Sequence, residues 1–275
     1  MRRSDGLPAE PTIQFEELVR HGEVPLDDPA EAYHEASRLY PSTVAAAVPG
    51  LALIESDPVV HASMGRSSRR HPHRDGVDLP RPHRPRARLG SALDRRRSLA
   101  PRPGTRLRLS QVSTLLDCAY GARRTAAGMR RTVPSGGALY PLELYAVCAA
   151  VEGAPSGLCH YDPFEHRLEL LGGNPLSGLA EAVVDAAVVE QAALVLVMTA
   201  VLWRTRFKYG ARGYRFALLE AGHVAQNVLL ACTALRLPVL PVGGFYDRGV
   251  DALVGANGLD EASLYVFAIG GRGRR

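Results

Sequence analysis

The chain has 275 residues, of which 46% are hydrophobic and 22% are charged. These are globular proportions, which exclude a wholly disordered or collagen-like chain, and the length allows one large domain or two small ones. The longest apolar run, residues 192–203, falls short of the roughly 20 residues that cross a bilayer. The N-terminus lacks the apolar segment of an export signal, so we expect a cytoplasmic protein that does not span a membrane.

Basic residues are concentrated in one part of the chain. Residues 66–131 contain 18 arginines and four acidic residues, although the whole chain carries a net charge of only +5. Such a segment suits phosphate groups, whether of a small ligand or of nucleic acid. Lys208 is the single lysine among the 33 basic residues. An amine can be deprotonated near neutral pH and a guanidinium cannot, so Lys208 is a candidate base.

Apolar spacing predicts a short amphipathic helix over residues 29–40. Residues 65–90 are rich in arginine, proline and histidine and have almost no apolar side chains, so they are predicted to form a linker or mobile loop. The three histidines of this segment are interpreted as solvated residues rather than metal ligands. Residues 1–90 are therefore predicted to be an N-terminal extension, followed by one main domain over residues 91–275.

The main domain mixes strands and helices without an internal repeat. Apolar patterns predict helices over residues 110–121, 176–191 and 213–235. Strand patterns fall at residues 142–150, 158–161, 167–171, 193–202, 239–245 and 263–269. The last helix is apolar on most of its circumference, so it belongs in the middle of the fold or at a subunit interface, with His223 as a hydrogen-bonded core residue. These elements predict an α+β class, or α/β with a mixed sheet.

The four cysteines include no C-x-x-C pair, and three of them lie in apolar or amphipathic runs. They are predicted to be small buried side chains in a reducing compartment, and neither a zinc site nor a disulfide framework is expected. The sequence also lacks the motifs of dinucleotide folds, Walker loops, zinc proteases and serine hydrolases.

Four short clusters remain as candidates for ligand binding. They are Arg95–Ser98, Pro134–Gly137, Pro241–Phe245 and Arg272–Arg274. Glycines in the second and third clusters let the backbone come close to a ligand. Arginines in the first and fourth could clamp a phosphate, since a charge-assisted hydrogen bond contributes about 1.5–3 kcal/mol. Each cluster taken singly also fits surface arginines, a turn or a frayed tail.

Together with four longer motifs, these clusters resemble the SagB-type dehydrogenases of the FMN-dependent nitroreductase superfamily. The motifs read RTVPSGGALYPLELY (131–145), KYGARGYR (208–215), EAGHVAQN (220–227) and GGFYD (243–247). The resemblance covers about residues 90–272. It implies a nitroreductase-like α+β fold of three layers, with a mixed or antiparallel central sheet flanked by helices. It also implies a homodimer that holds FMN in clefts at the subunit interface.

The resemblance assigns cofactor contacts to individual residues. Those matched to the FMN phosphate are Arg96, Arg97, Ser98, Arg272 and Arg274. Those matched to the flavin ring are Pro134, Ser135, Gly136, Gly137, Gly243 and Gly244. Many relatives have a basic residue where this chain has Ala100, for which Arg102 could substitute. The hypothesis requires Arg97, Gly136 and Gly244 to reach one FMN molecule.

In the azoline oxidases of this family, the pair that aligns with Lys208 and Tyr209 is implicated in catalysis. Aromatising a thiazoline or oxazoline removes a hydride and a proton, and removal of the proton needs a base. A lysine with an ordinary pKa of about 10.4 is charged at neutral pH, so burial or the cations of Arg204, Arg206 and Arg212 would have to lower that pKa. Alternatively, Lys208 caps the end of a strand in solvent and Tyr209 packs.

The resemblance predicts an FMN-dependent oxidoreductase that dehydrogenates azoline rings to azoles in a ribosomally made peptide, beside a cyclodehydratase partner. One alternative is a general NAD(P)H flavin reductase or a dehydrogenase of another amino-acid-derived metabolite, because function resides in the site and not in the fold. A nucleic-acid-binding protein is the third hypothesis. It is disfavoured because the arginines are mixed with prolines and lack interleaved aromatic side chains.

Overall fold

The computed structural model describes residues 28–42, 67–126 and 128–271, with single positions between 44 and 60. The chain divides into two compact units, Met1–Arg38 and Leu39–Arg275. Helix α1 (Pro29–Ala36) belongs to the first unit. It begins where the Asp28 carboxylate accepts a hydrogen bond from the Ala30 N–H at 2.8 Å, with a proline in its first turn.

The second unit is built around one seven-stranded sheet, in the spatial order β1-β8-β7-β5-β9-β11-β10. Its strands are β1 (Gly76–Asp78), β5 (Leu142–Cys148), β7 (Gly157–Asp162), β8 (Arg167–Gly172), β9 (Leu194–Val201), β10 (Val239–Val242) and β11 (Glu261–Ile269). Two small pairs lie outside it: β2 (Leu107–Arg108) with β6 (Val151–Glu152), and β3 (Ala122–Thr125) with β4 (Gly128–Arg131). Every neighbouring pair in the main sheet is antiparallel.

Helices cover both faces of this sheet. They are α2 (Leu89–Arg95), α3 (Leu109–Tyr120), α4 (Leu176–Glu181), α5 (Ala186–Glu190), α6 (Trp203–Tyr209), α7 (Arg212–Leu235) and α8 (Asp247–Val254). In β5, Leu144 and Ala146 point into the core formed with α3 and α7, whereas Tyr145 and Val147 point into the core formed with α4, α5 and α8. Successive side chains of a strand face opposite sides. The sheet therefore separates two cores, and the predicted three-layer α+β fold is confirmed.

Helix α7 is long and apolar enough to cross a membrane by length and composition alone. In this fold it packs as a core helix against α3 and the sheet, with Ala217, Val224 and Val228 fully buried. Its outer face leaves Leu218 and Leu219 exposed. The predicted middle position is confirmed, and these two exposed leucines remain on the other side of the helix.

Some elements differ from the prediction. Strand β1 lies within the predicted linker, because its backbone pairs with β8 at the sheet edge, which three residues of sequence pattern do not reveal. The helix predicted over residues 176–191 is split into α4 and α5, since Val183 between them forms a bridge with Phe245. Helices α6 and α8 have no counterpart among the predicted elements. The domain boundary at residue 90 stays a prediction.

Candidate active site

The loop that contains Pro134–Gly137 has a strained backbone. Gly137, Ala138 and Tyr140 have positive φ angles of 65°, 55° and 44°. Glycine adopts this left-handed region readily, but a side chain makes it unfavourable by roughly 1–2 kcal/mol. Ala138 and Tyr140 therefore need surrounding contacts to hold them. Strain of this kind concentrates at ligand-binding sites.

Three hydrogen bonds supply those contacts. The Tyr140 N–H donates to Ser135 Oγ at 2.9 Å, which closes the loop on itself. The Arg204 guanidinium of α6 donates to the Tyr140 carbonyl at 3.3 Å. The Arg131 N–H of β4 donates to the Tyr140 hydroxyl, also at 3.3 Å. The loop is thus tied to two neighbouring elements as well as to itself.

Helix α6 places Lys208 and Tyr209 next to this loop. Only a glycine leaves room here: a Cβ atom on Gly137 would lie 3.1 Å from Lys208 Nζ and would collide with the Tyr209 hydroxyl. Lys208 is 9% exposed, and the Tyr209 ring packs edge-on against Phe216 of α7. The alternative of a solvent-exposed lysine at a strand end is wrong. Lys208 lies buried in the last turn of a helix, beside the predicted flavin loop.

A buried ion network holds α6 against the sheet. Arg204 Nη2 lies 2.6 Å from Glu143 Oε1 of β5. His160 of β7 lies between Glu143 and Glu169, with nitrogen-to-oxygen distances of 2.8 and 2.9 Å. These two carboxylates and the imidazole are almost fully buried. Because Arg204 precedes Lys208 by one helical turn, the network also positions Lys208.

The network perturbs the pKa values of its members. Burial alone would raise the pKa of Glu143, but the His160 hydrogen bond and the Arg204 charge lower it to about 2. Burial alone would lower the pKa of His160, but hydrogen bonds with its two carboxylates raise it to about 9. His160 is thus an imidazolium at neutral pH. Arg204, expected from sequence to act on Lys208, has its charge balanced by Glu143 instead.

One group of side chains has the spacing of metal ligands. Atoms of His71, His160 and Glu169 lie within 4.8 Å of one another. Both ring nitrogens of His160 already bond to carboxylates, so the ion network accounts for this group without a metal. His71 is half-buried: its backbone N–H donates to Glu169 at 3.0 Å, and its ring packs edge-on against His160 with Nε2 buried. The prediction that this histidine is solvated is therefore wrong.

An arginine-lined cavity of about 920 Å³ lies near the start of β10, at the end of the sheet opposite the Pro134–Gly137 loop. Arg95, Arg97, Arg102 and Arg236 line it, and no acidic residue does. Among the described residues, none of these four arginines forms an ion pair. Like charges repel one another unless an anion binds between them, so the cavity fits a phosphate.

The predicted phosphate ligands agree with this cavity in part. Arg97 lines it, whereas Arg96 and Ser98 are absent from its lining. Arg95 also lines it; it belongs to the first candidate cluster, although the resemblance did not match it to the phosphate. Arg236 lines it as well, and no motif indicated that residue. The predicted ligands Arg272 and Arg274 lie outside the described residues. Gly271, which directly precedes them, is in the cavity wall.

Gly243 and Gly244 follow β10 at its other end. A Cβ atom on Gly243 would meet no atom within 4 Å. Among the described residues, neither glycine amide donates a hydrogen bond, although the Gly244 carbonyl accepts one from the Val184 N–H at 3.0 Å. Unpaired amides in open space can donate to a ligand. The cavity, the free amides and the cations therefore fit a phosphorylated, hydrogen-bonding cofactor such as FMN.

The strand register shows which of these groups one chain brings together. Leu142 pairs with Ala200, which pairs with Ala262, and Val242 pairs with Val266. The loop, α6 and Gly243–Gly244 thus lie at one end of the sheet, but three strand spacings of about 4.8 Å separate β5 from β10. Arg97 lies near the start of β10, whereas Gly243–Gly244 follow its end. The four residues of the strand place these two ends about 13 Å apart.

One chain therefore spreads the predicted FMN contacts over two places. Arg97 and Gly244 lie at the two ends of one short strand, a span suited to an extended mononucleotide. Gly136 lies in the loop before β5, three strand spacings from β10, with the Phe216 side chain beside it.

Two polar residues of α7 behave differently from each other. His223 is exposed, so its predicted place in the core is wrong; it lies on the same outer face as Leu219. Asn227 donates to the Cys118 carbonyl at 3.2 Å and joins α7 to α3.

The cysteines are free thiols, and Cys148, Cys159 and Cys232 are buried as predicted.

Sequence comparisons identify relatives of this chain. The family model described as "Nitroreductase family" matches residues 102–271. The nitroreductase-like protein MJ1384 of Methanocaldococcus jannaschii is 36% identical over 177 residues, which are 64% of this chain and 88% of that protein. The microcin B17-processing protein McbC of Escherichia coli is 30% identical over 152 residues, or 53% of this chain. The chain spans 55% of the length of McbC.

A solved structure agrees with these sequence relatives. The E. coli microcin synthetase McbBCD complex with truncated pro-MccB17 contains a chain that superposes with a TM-score of 0.57 at 22% identity. The superposition covers 89% of this chain and 92% of the other. The resemblance inferred from the motifs is thereby confirmed: this chain belongs to the nitroreductase family of oxidoreductases.

Proposed function

We propose that this chain is an FMN-dependent dehydrogenase that converts azoline rings to azoles in a ribosomally made peptide. The observation that carries the proposal is the position of the buried Lys208 and the half-buried Tyr209 beside Gly137 of the strained loop. A base and a hydroxyl group thus lie next to the loop that the motifs match to the flavin ring. The relative McbC is a peptide-processing protein, which favours a peptide substrate.

The cofactor site is proposed to form between two copies of the chain. Arg97 and its neighbouring arginines would hold the FMN phosphate, and the Gly244 amide would face the ring. The Pro134–Gly137 loop of the second copy would cover the ring, since the same loop of the first copy lies three strand spacings away from β10. Leu218 and Leu219 on the outer face of α7 are 44% and 59% exposed, and they supply an apolar contact for such a homodimer.

FMN, when bound, supplies the acceptor for the hydride that leaves the azoline carbon. Lys208 would take the proton from the neighbouring carbon, so that the ring loses a hydride and a proton and becomes aromatic. Tyr209 would donate a hydrogen bond to the substrate and hold it in place. Burial beside the loop excludes water from the amine of Lys208, which keeps the transferred proton within the site.

A cyclodehydratase is the proposed partner. An azoline forms when a cysteine, serine or threonine side chain closes onto the preceding carbonyl with loss of water, so this step must precede dehydrogenation. The structure that superposes on this chain is from the McbBCD complex with a bound pro-peptide. We place both proteins in the cytoplasm, where thiols such as the free cysteines of this chain stay reduced.

The visible spectrum and a peptide assay test this proposal. The purified protein should be yellow or should bind added FMN, and it should remove two hydrogens per ring from an azoline peptide, as measured by mass spectrometry. A protein that cannot be loaded with FMN would overturn the proposal. Rapid NAD(P)H oxidation with no reaction on the azoline peptide would favour the general flavin reductase instead.

A further inference from the structure

A second, smaller cavity adjoins the arginine-lined cavity. It has a volume of about 330 Å³, and Arg86, Arg95 and Arg236 line it. Arg95 and Arg236 also line the larger cavity, so the two cavities share part of their wall. The other lining residues of the smaller cavity have short side chains: Ala87, Ser91, Ala92, Thr233 and Ala234. Three guanidinium groups therefore dominate this cavity.

The segment that contains Arg86 is anchored to the fold. The His83 N–H donates to Thr114 Oγ1 of α3 at 3.0 Å. Helix α2, which follows this segment, packs against α7. These two attachments hold Arg86 and Arg95 beside the C-terminal end of α7, where Arg236 follows the last helical residue.

Arg236 occupies a backbone position that favours glycine. Its φ angle is 57°, in the left-handed region where helices commonly end with a glycine. A side chain makes this conformation unfavourable by roughly 1–2 kcal/mol. The backbone thus does not explain an arginine here, whereas a role for its side chain in the wall of both cavities does.

The two cavities carry more positive charge than one FMN phosphate can neutralise. The arginines that line them are Arg86, Arg95, Arg97, Arg102 and Arg236, and no acidic residue of the described chain lines either cavity. None of these arginines forms an ion pair with a described residue. A phosphate carries a charge of about −1.5 to −2 at neutral pH, which leaves about three positive charges for a second anion.

The lining of the smaller cavity favours carboxylates over nucleic acid. Single-stranded nucleic acid is held by aromatic side chains that stack on its bases, and no described aromatic residue lines either cavity. A guanidinium group binds a carboxylate through two parallel hydrogen bonds. The start of β10, near these cavities, lies about 13 Å from Gly243–Gly244 along the strand, a distance that about four residues of extended peptide span.

We propose that the smaller cavity is a docking site for an acidic segment of the peptide substrate, whose carboxylates pair with Arg86, Arg95 and Arg236. The segment lies at least about four residues from the azoline ring. The inference rests on the proposed function, because that function supplies the peptide. It adds a contact that selects the substrate by charge, away from the reacting ring.

Calorimetric titration of the FMN-loaded protein with hexaglutamate tests this inference. Hexaglutamate should bind, added salt should weaken its binding, and hexaglutamine should not bind. Because Arg86 is exposed, Arg86→Ala should weaken binding of hexaglutamate by about fivefold, as expected for the loss of an exposed ion pair. Arg86→Glu should weaken it further, because the new carboxylate repels the ligand. Neither variant should change the affinity for FMN, since Arg86 does not line the larger cavity.

Kinetics with an azoline peptide that carries glutamates provide a second readout. Arg86→Glu should raise KM for this peptide and leave kcat unchanged, whereas Arg124→Ala, which removes an exposed arginine of β3, should match wild type in both assays. Equal binding of hexaglutamate by wild type and Arg86→Glu would overturn the inference. Tighter binding of a six-nucleotide oligothymidylate than of hexaglutamate at the same salt concentration would also overturn it. Failure to load FMN would reject the proposed function alone, because binding of hexaglutamate is measured without turnover.

Discussion

A Cβ atom on Gly137 would lie 2.5 Å from the hydroxyl oxygen of Tyr209. No heavy atom can sit that close without moving the backbone or the ring, and Gly137 also has a φ of 65°. The loop therefore packs directly against Lys208 and Tyr209, the proposed catalytic pair. A change in the loop backbone should move both side chains.

Substituting Gly137→Ala should lower turnover at least tenfold and destabilise the protein by about 1–2 kcal/mol, because the left-handed backbone and the contact with Tyr209 both disfavour a side chain. Steady-state kinetics and urea unfolding measure the two effects. Gly173→Ala is the matched control, since its Cβ would meet no atom within 4 Å. Equal behaviour of the two variants would contradict the packing seen here.

Substituting Lys208→Ala should reduce azoline dehydrogenation by about 100-fold or more, the usual contribution of a general base. The flavin content should stay near that of wild type, because residues other than Lys208 make the proposed contacts with the phosphate and the ring. Arg124→Ala removes an exposed cation on β3 and should leave turnover unchanged. Full activity of Lys208→Ala would remove the amine from the mechanism.

Substituting Arg97→Ala should weaken FMN binding by about 10- to 150-fold, which corresponds to the loss of one charge-assisted hydrogen bond of about 1.5–3 kcal/mol. Fluorescence titration measures this, and added salt should weaken wild-type binding more than that of the variant. Arg124 of β3, exposed and away from the arginine-lined cavity, provides the control Arg124→Ala. An unchanged dissociation constant for Arg97→Ala would reject the phosphate assignment.

Substituting His160→Gln should destabilise the fold by about 3–5 kcal/mol, because two buried carboxylates lose their imidazolium. The raised pKa of His160 means that its contribution is complete below pH 6.5 and is lost as the pH rises through about 9. The lowered pKa of Glu143 means that its contribution is complete above pH 4.5 and is lost as the pH falls through about 2. The effect of the substitution should therefore be largest between pH 4.5 and 6.5.

Urea unfolding across that pH range measures the effect of His160→Gln. Glu152→Gln, which breaks an exposed 3.6 Å ion pair with Arg106, should change the free energy of unfolding by no more than about 1 kcal/mol. A His160→Gln effect as small as that of the control would contradict the buried network.

Substituting Leu219→Glu should separate the proposed homodimer and weaken FMN binding at the same time, since the loop of the second chain would no longer reach the cofactor. Analytical ultracentrifugation and FMN titration report the two properties. Leu259→Glu also replaces an exposed leucine, 78% accessible in a loop, and should leave both unchanged. Tight FMN binding by a monomeric Leu219→Glu protein would contradict a shared site.

Local sequence patterns determined much of the architecture. Apolar spacing predicted α3 and α7, strand patterns predicted β7 and β8, and ordered motifs predicted the family. These signals are short-range, because helix periodicity and strand alternation depend on neighbouring residues. The motifs likewise indicated Lys208, because the sequence alone shows that the only lysine of the chain lies within one of them.

The tertiary structure alone decided which distant residues meet. Sequence order does not show that Arg204 would pair with Glu143, or that His160 would lie between two carboxylates, because these contacts depend on strands becoming neighbours in the sheet. For the same reason, the motif containing Glu220 did not indicate that its carboxylate accepts a hydrogen bond from the Tyr120 hydroxyl at 2.5 Å. Burial and the pairing of charges depend on all elements at once, so the site and its proton chemistry became visible only when the sheet order was known.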